Sequence, residues 1–258
     1  MKKAVSFALV FMLILSCSAP ALAATSAIDS IDSLVIDMYK DAESAPQQTS
    51  AVAFGSMYML NFIVRDVCTS QSRIDAVSDI VSTISDSVQS VDGAPQVSAL
   101  SLYGCVYELC AIAYEKDRFG LYNDIIKSVT DGLSNTDTSS AVQEMALASY
   151  RMVDALSIIA LEVGCSSDKV SSINDRLKTN NAGLSGAPQQ TANGLYRSAE
   201  LLYLIAAQDC SSYTANRVYD LLDGMYEDND SCTSAVQQTS NGMTTIYMML
   251  RAIAYDKA

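Results

Sequence analysis

Apolar residues recur along this chain at intervals of three and four, and the whole pattern returns about every 47 residues. Each copy begins with the same short signature, which is Ser or Gly, then Ala, then Pro or Val, then Gln. The five signatures are residues 44–47, 93–96, 140–143, 186–189 and 234–237. Their glutamines are 49, 47, 46 and 48 residues apart, and a nearly fixed period of this kind is typical of a repeat array.

The pattern predicts a long helix after each signature, which we call helix A. Leu stands fifteen residues and Ile eighteen residues after the signature alanine in every copy, and the ninth residue after it is aromatic in four copies. These spacings cover a wide arc of one helix, so helix A should be largely buried. The residues at these two recurrent positions are Leu60, Leu109, Leu156, Leu202 and Leu250, with Ile63, Ile112, Ile159, Ile205 and Ile253.

The signature itself fits the first turn of helix A. Ser and Gly are favoured at the N-cap of a helix, and Pro is tolerated in the first turn, where its missing N–H would be unpaired anyway. The Gln three residues after the N-cap can complete a capping box. Helix capping therefore explains the signature better than a ligand site that is repeated five times.

A second amphipathic segment, helix B, precedes each helix A. Its clearest copy is residues 74–88, where Ile and Val follow a helical spacing and aspartates lie on the other sides. The other copies are residues 28–38, 122–133, 170–177 and 218–225. No segment alternates with the period of two that a strand shows. The sequence therefore predicts an all-α fold without a β-sheet, in which about ten helices form five helix-pair repeats.

Two helices in a unit of 46 to 49 residues resemble the repeats of HEAT-like and armadillo-like solenoids. The resemblance covers residues 24–258 and concerns architecture. It implies one domain, a curved αα-hairpin solenoid, in which each repeat contacts only its neighbours and the concave surface is open to a partner.

The N-terminus has the features of a secretory signal peptide, residues 1–23. Two lysines precede a largely apolar run of 12 residues at 4–15, and a small-residue cleavage site ends at Ala23. The apolar run is shorter than the ~20 residues of a membrane-spanning helix, and no span is predicted in the mature chain. The residues before Cys17 also resemble a bacterial lipoprotein signal. We therefore expect an exported protein, periplasmic or extracellular, with a lipoprotein anchored through Cys17 as the alternative.

Charge narrows the classes of partner. The 258 residues include 29 acidic and 16 basic side chains, for a formal charge of −13. Removal of the signal peptide takes away two lysines and no acid, which leaves −15. A nucleic-acid partner is not expected, because phosphate binding needs a basic face. The acidic balance favours neutral or basic partners.

Charged residues on the apolar A helices are the strongest candidate site. Arg151 and Asp154 occupy the same two offsets as Arg197 and Glu200 in the next repeat. Stacked repeats would bring the four charges into one patch on the concave face. The patch is either a polar binding pocket, in which two carboxylates serve as acid and base, or an ionic ladder between repeats.

The remaining residues suggest little other chemistry. The chain has no His to activate a nucleophile or bind a metal, and no glycine-rich phosphate loop. The acidic run at 227–230 lacks the glycine and the distal glutamate of an EF-hand loop. We therefore expect no cofactor and no metal, and the absence of catalytic motifs favours a protein that is not an enzyme.

Six cysteines remain after the signal peptide, and two of them suggest a disulfide. Cys165 and Cys210 lie at the C-terminal ends of A helices in adjacent repeats. Packed helices are about 8 to 10 Å apart, and flexible ends can close to the ~5.5 Å between Cα atoms that a disulfide needs. The alternative is that all the thiols stay reduced and buried.

These observations together favour a secreted or periplasmic binding or scaffolding protein that holds a peptide or protein partner on its concave surface. The alternative is an α/α-barrel enzyme that acts on saccharides with two carboxylates. An open arc of repeats would support binding, whereas a closed ring with two inward carboxylates about 5 to 10 Å apart would support hydrolysis.

Overall fold

The computed structural model describes residues 21–90, 93–116 and 141–258, which form nine α-helices and no strand. They are α1 (Ala21–Lys40), α2 (Ala45–Val67), α3 (Gln71–Ser90), α4 (Ala94–Lys116), α5 (Ala141–Glu162), α6 (Ser167–Ala182), α7 (Ala187–Asp209), α8 (Ser212–Asp230) and α9 (Ala235–Lys257). The predicted all-α class is confirmed for this part of the chain. Most of the predicted signal peptide, Cys17 and the predicted helix at 122–133 lie outside the described residues.

Five of these helices begin at a signature alanine: α2, α4, α5, α7 and α9. In the first signature the Gln folds back over the start of the helix. Gln47 Oε1 accepts hydrogen bonds from the backbone N–H of Glu43, at 2.8 Å, and from the Ser44 hydroxyl, at 3.2 Å. The Gln does not bond the N-cap N–H, and the Ser44 side chain makes no cap hydrogen bond to the helix, so the predicted capping box is not formed in α2.

These five helices form a closed ring. Each packs against the next in chain order, and α9 also packs extensively against α2. The expectation that each repeat contacts only its neighbours is therefore wrong for the two ends. A closed ring has no open concave face, which is the surface on which the solenoid resemblance implied partner binding. The accessible surfaces of the ring are its two mouths, at the two ends of the ring axis, and its outer wall.

The other four described helices cover the grooves on the outside of the ring. α3 packs against α2 and α4, α6 against α5 and α7, and α8 against α7 and α9. α1 occupies the groove at the closure, where it contacts α2 and α9. Residues near the C-terminal ends of all five inner helices line one mouth of the ring and residues near their N-terminal ends line the other, so the five inner helices all point the same way.

The ring axis is filled by a stripe of side chains that recurs in every inner helix. Eight and eleven residues after the signature alanine the side chains are fully buried, and they are mostly apolar or small. They are Ala53, Leu102, Ser149, Leu195 and Met243, with Ser56, Cys105, Met152, Ser198 and Ile246, all at most 1% exposed. The middle of the ring is thus a packed core and not a channel.

Polar contacts from α1 hold the ring closed. Asp32 Oδ1 accepts a hydrogen bond from the Tyr247 hydroxyl at 2.9 Å, and its Oδ2 lies 2.8 Å from Arg251 Nη2. One turn earlier on α1, Asp29 accepts a hydrogen bond from Tyr255. Both aspartates belong to the predicted helix at 28–38, and their partners belong to α9.

Carboxylates near the ends of two inner helices cap the outer helices that precede those inner helices in the chain. Glu115 of α4 accepts a hydrogen bond from the backbone N–H of Thr69, at 3.0 Å, just before α3. Asp256 of α9 accepts hydrogen bonds from the Ser211 N–H, at 3.2 Å, and from the Thr214 hydroxyl, at 2.8 Å, at the start of α8. Both acids stand twenty-one residues after a signature alanine, so the same offset serves the same purpose.

A glycine at the closure allows the helices to approach. A Cβ added to Gly55 would lie 2.5 Å from Val35 Cγ2 and 2.8 Å from Tyr247 Cε2. Both neighbours are buried, so neither can move away freely. Gly224, in α8, would meet nothing within 4 Å. The two glycines therefore tolerate a methyl group very differently.

We expect the same substitution to have opposite effects at these two positions. Gly55→Ala should lower the free energy of unfolding by about 1–3 kcal/mol, because it overpacks the closure. Gly224→Ala should raise it by about 0.5–1 kcal/mol, because Ala loses less conformational freedom than Gly in a helix. Urea denaturation of both variants measures the difference. A Gly55→Ala protein as stable as the unmodified chain would contradict the tight closure.

Candidate functional site

The four charged residues predicted to form one patch form two separate ion pairs. Arg151 Nη1 lies 3.1 Å from Asp154 Oδ2, and Arg197 Nη1 lies 2.8 Å from both carboxylate oxygens of Glu200. Each pair joins residues three apart on its own helix. Among the described residues no ion pair or hydrogen bond connects the two pairs, and neither pair lines a mouth of the ring.

Glu200 is the centre of a polar cluster that joins three helices. Besides Arg197, it accepts hydrogen bonds from Arg176 of α6, at 2.9 Å, and from the hydroxyl of Tyr226 of α8. The Glu200 side chain is 9% exposed, and two guanidinium groups compensate its charge. Burial, followed by the hydrogen bond to Glu200, raises the pKa of Tyr226 to about 12. The cluster therefore fixes α6 and α8 on α7 and holds Tyr226 in place.

An exposed stripe of tyrosines and acids lies over this cluster. Tyr219, Asp223, Tyr226 and Asp230 follow one another at spacings of four, three and four residues along α8. At ~100° per residue they fall within an arc of about 60°. Tyr219 is 48% exposed and Tyr226 is 36% exposed. We call these four residues the tyrosine stripe.

Neighbouring residues fix the stripe and leave its charge negative. The ring of Tyr203, from α7, packs against the ring of Tyr219 with centroids 5.4 Å apart. The only basic residue of α8, Arg217, lies about 160° around the helix from Tyr219. The nearby cation Arg176 is already paired with Glu200. This stripe was not among the sites predicted from the sequence, although the helical spacing of residues 219–230 is visible there.

One buried carboxyl group lies apart from these pairs. Glu108 is 0% exposed, and neither of its oxygens has a neighbour at hydrogen-bond geometry. Burial holds the pKa of Glu108 well above its usual range, and Asn61 on the facing helix α2 opposes this shift only in part. Burial therefore favours the neutral, protonated form of this carboxyl group.

We expect Glu108 to make the protein less stable as pH rises. The pKa of Glu108 is higher in the folded chain than in the unfolded chain. At pH values between these two pKa values, Glu108 is mostly protonated in the folded state and mostly ionised in the unfolded state. The free energy of unfolding then falls by up to ~1.4 kcal/mol per pH unit as pH rises from about 5. Glu108→Gln should remove this slope. Urea titrations between pH 5 and 8 test it, with Glu162→Gln, at an exposed glutamate, as the matched control. Equal slopes for Glu108→Gln and the unmodified chain would show that Glu108 is ionised in the fold.

The C-terminal ends of the inner helices surround an apolar funnel. Its enclosed volume is about 50 Å³, and it opens to solvent. The funnel is lined by the recurrent leucines and isoleucines of all five inner helices, with Val67, Val163, Asp209, Cys210 and Lys257 at its rim. The positions that the sequence pattern assigned to the buried face of helix A thus line one mouth of the ring.

The N-terminal mouth of the ring encloses about 100 Å³ and has a different lining. Hydroxyl groups project from four of its five helices. Each donates a hydrogen bond to a carbonyl four residues earlier on its own helix: Thr49, Ser98, Thr191 and Thr239. These donors are therefore already used, and the mouth has no charged lining residue among those described.

The requirement for saccharide hydrolysis is two facing carboxylates. Asp209 is the only acid among the described residues that line either mouth, and it lies 3.4 Å from Lys257 Nζ. No group of three or more potential metal ligands occurs in the described part of the chain. The geometry of the mouths thus lends no support to the carboxylate enzyme.

The two cysteines of the predicted disulfide are free thiols in this structure. The Cys165 thiol donates a hydrogen bond to the backbone carbonyl of Leu204 at 3.3 Å. Cys210 lies at the rim of the funnel, where burial raises the pKa of its thiol to about 11. Each thiol therefore has different surroundings, and the bridge stays a prediction for the exported protein.

One helical stretch of the described chain, Ala94–Glu115, has the length and hydropathy of a membrane span, and 83% of its most apolar window is buried inside the protein. This burial is explained by its place in the inner ring. Comparison with protein-family models, with curated proteins and with solved structures finds no match to this chain.

Proposed function

We propose that this chain is an exported binding protein that recognises a basic segment of a partner protein through the tyrosine stripe. The observation that carries the proposal is the alternation of exposed tyrosine rings and carboxylates on α8, fixed from below by Glu200 and Tyr203. Tyrosine is enriched at protein interfaces because it provides a large, rigid contact surface. Binding thus takes place on the outer wall of the ring rather than on a concave face.

The chemistry of the stripe selects the sign of the partner's charge. Asp223 lies between the two rings, which are ~10 Å apart along the helix. A Lys or Arg side chain above Asp223 would contact a carboxylate and the face of a tyrosine at once. The helix also has Asp220, Glu227 and Asp228, which extend the negative potential around the stripe.

The proposed architecture is a ring of five helix-pair repeats, in which the helix predicted from the sequence at 122–133 is counted as the fifth outer helix. Export follows from the predicted signal peptide, whose cleavage after Ala23 would leave Ala24 in the first turn of α1. Anchoring through Cys17 would hold the same ring at a membrane. In either form the tyrosine stripe faces solvent.

The test uses the exported chain and a short Lys- and Arg-rich peptide that contains one Trp. Because the chain has no Trp, peptide fluorescence reports binding directly. Tyr219→Ala should weaken binding about two- to fivefold, since an exposed cation–π contact contributes about 0.5–1 kcal/mol. Asp223→Asn should weaken it and reduce its dependence on salt.

Matched controls lie off the stripe. Tyr213, at 74%, is the most exposed tyrosine in the described part of the chain, and it lies about 120° around α8 from Tyr219. Tyr213→Ala and Asp168→Asn, on α6, should change the affinity less than twofold. A Glu-rich peptide of the same length should not bind. Equal affinity for the acidic and basic peptides, or equal losses for Tyr213→Ala and Tyr219→Ala, would overturn the proposal.

A further inference from the structure

Glu108 occupies a position that is apolar in the other four inner helices. It stands fourteen residues after its signature alanine, and the equivalent residues are Met59, Ala155, Leu201 and Met249, all fully buried. The Glu108 side chain is also 0% exposed, but neither of its carboxyl oxygens has a hydrogen-bond partner among the described residues. Because an apolar side chain fits this position in four other repeats, packing does not require the carboxyl group.

The two inner helices beside Glu108 are packed tightly against each other. One turn earlier on α4, a Cβ added to Gly104 would overlap Met57 Sδ of α2 and lie 3.0 Å from Ile84 Cδ1 of α3. On the side of the ring axis, Cys105 is fully buried. Neither the contact between α2 and α4 nor the axis therefore offers water a route to the carboxyl group.

The third helix at this junction, α3, has a much smaller buried face. Four of its residues are buried, whereas α2 buries fourteen. They are Val77, Val81, Ile84 and Ser85. The Ser85 hydroxyl is hydrogen-bonded, at 2.8 Å, to the hydroxyl of Tyr58, which lies near Glu108. Elements with few buried contacts open locally before the rest of a domain. α3 is therefore the helix that can uncover Glu108.

A line of polar side chains connects Glu108 with the groove between α2 and α3. Asn61 of α2 faces the carboxyl group. Its Oδ1 accepts a hydrogen bond from Arg65 Nε at 3.1 Å, and Arg65 Nη2 donates to the Ser78 hydroxyl of α3 at 3.4 Å. When α3 moves, water can follow these polar groups to the carboxyl group.

The titratable groups nearest to Glu108 do not stabilise its ionised form. Burial raises the pKa of Tyr58, on α2, and of Cys105, on α4, and the nearby Glu108 raises both further. Asp86 of α3 acts on Tyr58 in the same direction. These groups are neutral or acidic, so none of them offsets a negative charge on Glu108.

The cations of the neighbouring helices are engaged elsewhere. Arg73 of α3 forms an ion pair with Glu115. On α5, Arg151 is paired with Asp154, and both act on Cys110, which lies about 160° around α4 from Glu108. In the closed junction the carboxyl group is therefore tolerated only with its proton.

We propose that Glu108 is a pH-dependent switch that controls the position of α3. With its proton, the carboxyl group stays between α2 and α4, and α3 covers it. Without the proton, the carboxylate takes up water from the groove between α2 and α3, and α3 moves away. The switch is independent of the tyrosine stripe.

The direction of the switch follows from the two protonation states. In the open form Glu108 is in water, where a glutamate has a pKa of about 4.3. Burial in the closed form raises the pKa of Glu108 well above this value. Between the two values, opening releases one proton, so a rise in pH favours the open form.

Amide hydrogen exchange of the exported chain between pH 5 and pH 8 tests the switch, with rates corrected for the intrinsic effect of pH. The comparison uses amides whose exchange does not depend on low concentrations of urea, because these exchange through local opening. Their protection in α3 should fall by up to about tenfold per pH unit, since opening releases one proton. Protection of such amides in α6 and α8, where Leu201 and Met249 replace the carboxyl group, should stay constant.

Two substitutions remove the proton without enlarging the side chain. Glu108→Gln keeps the shape, and Glu108→Met introduces the residue that α2 and α9 have at this position. Both should abolish the pH dependence of protection in α3. Equal losses of protection in α3 and α6, or a loss in α3 that persists in Glu108→Gln, would overturn the proposal.

A second measurement leaves Glu108 in place, in case its substitution disturbs the fold. Ile80→Trp puts a reporter at a partly buried position of α3, and Leu221→Trp does the same on α8. The chain has no other Trp. Between pH 5 and pH 8 the emission of Ile80→Trp should shift reversibly to longer wavelength, whereas that of Leu221→Trp should not. Constant emission of Ile80→Trp, or equal shifts of both reporters, would contradict the movement of α3.

Discussion

The contact between the first and the last inner helix is the constraint on which the rest of this structure depends. It requires a residue without a side chain, Gly55, because Val35 and Tyr247 fill the space beside it. It also requires Asp32, which pairs with Arg251 and Tyr247 over a separation of more than two hundred residues. With α2 against α9, every inner helix has two inner neighbours, and the apolar stripe of each helix points to one axis.

Closure decides where chemistry can occur. The axis is packed with apolar and small side chains, and its two mouths are lined by recurrent offsets that contain few charges. Charged residues on the inner helices are therefore directed to the outer grooves, where Glu200 meets Arg176 and Tyr226. The tyrosine stripe packs on that cluster, so Arg197 and Glu200 help to hold the proposed binding surface in place. In the sequence, the same two residues had suggested a polar pocket on the concave face.

The sequence predicted the elements well because their signals are local. The signature marks the first turn of all five inner helices, and the recurrent Leu and Ile positions identify their buried face. For the ion pairs of Arg151 and Arg197, the sequence predicted only part of the arrangement. The spacing along the helix brings Arg197 next to Glu200, but it does not show which neighbouring helices the pair faces. The partners of Glu200 on α6 and α8 lie 24 and 26 residues away on other helices, and no local pattern links them.

By itself the sequence determined that the described chain is helical, where its helices begin and which of their faces are apolar, because these properties depend on residues within one or two turns. Only the tertiary structure decided that the array closes. Closure depends on the angle between successive helix pairs, and small differences in that angle separate an open arc from a ring. Those angles are set by packing between side chains distant in the sequence, such as Gly55 with Tyr247. The period of the repeat carries no information about them.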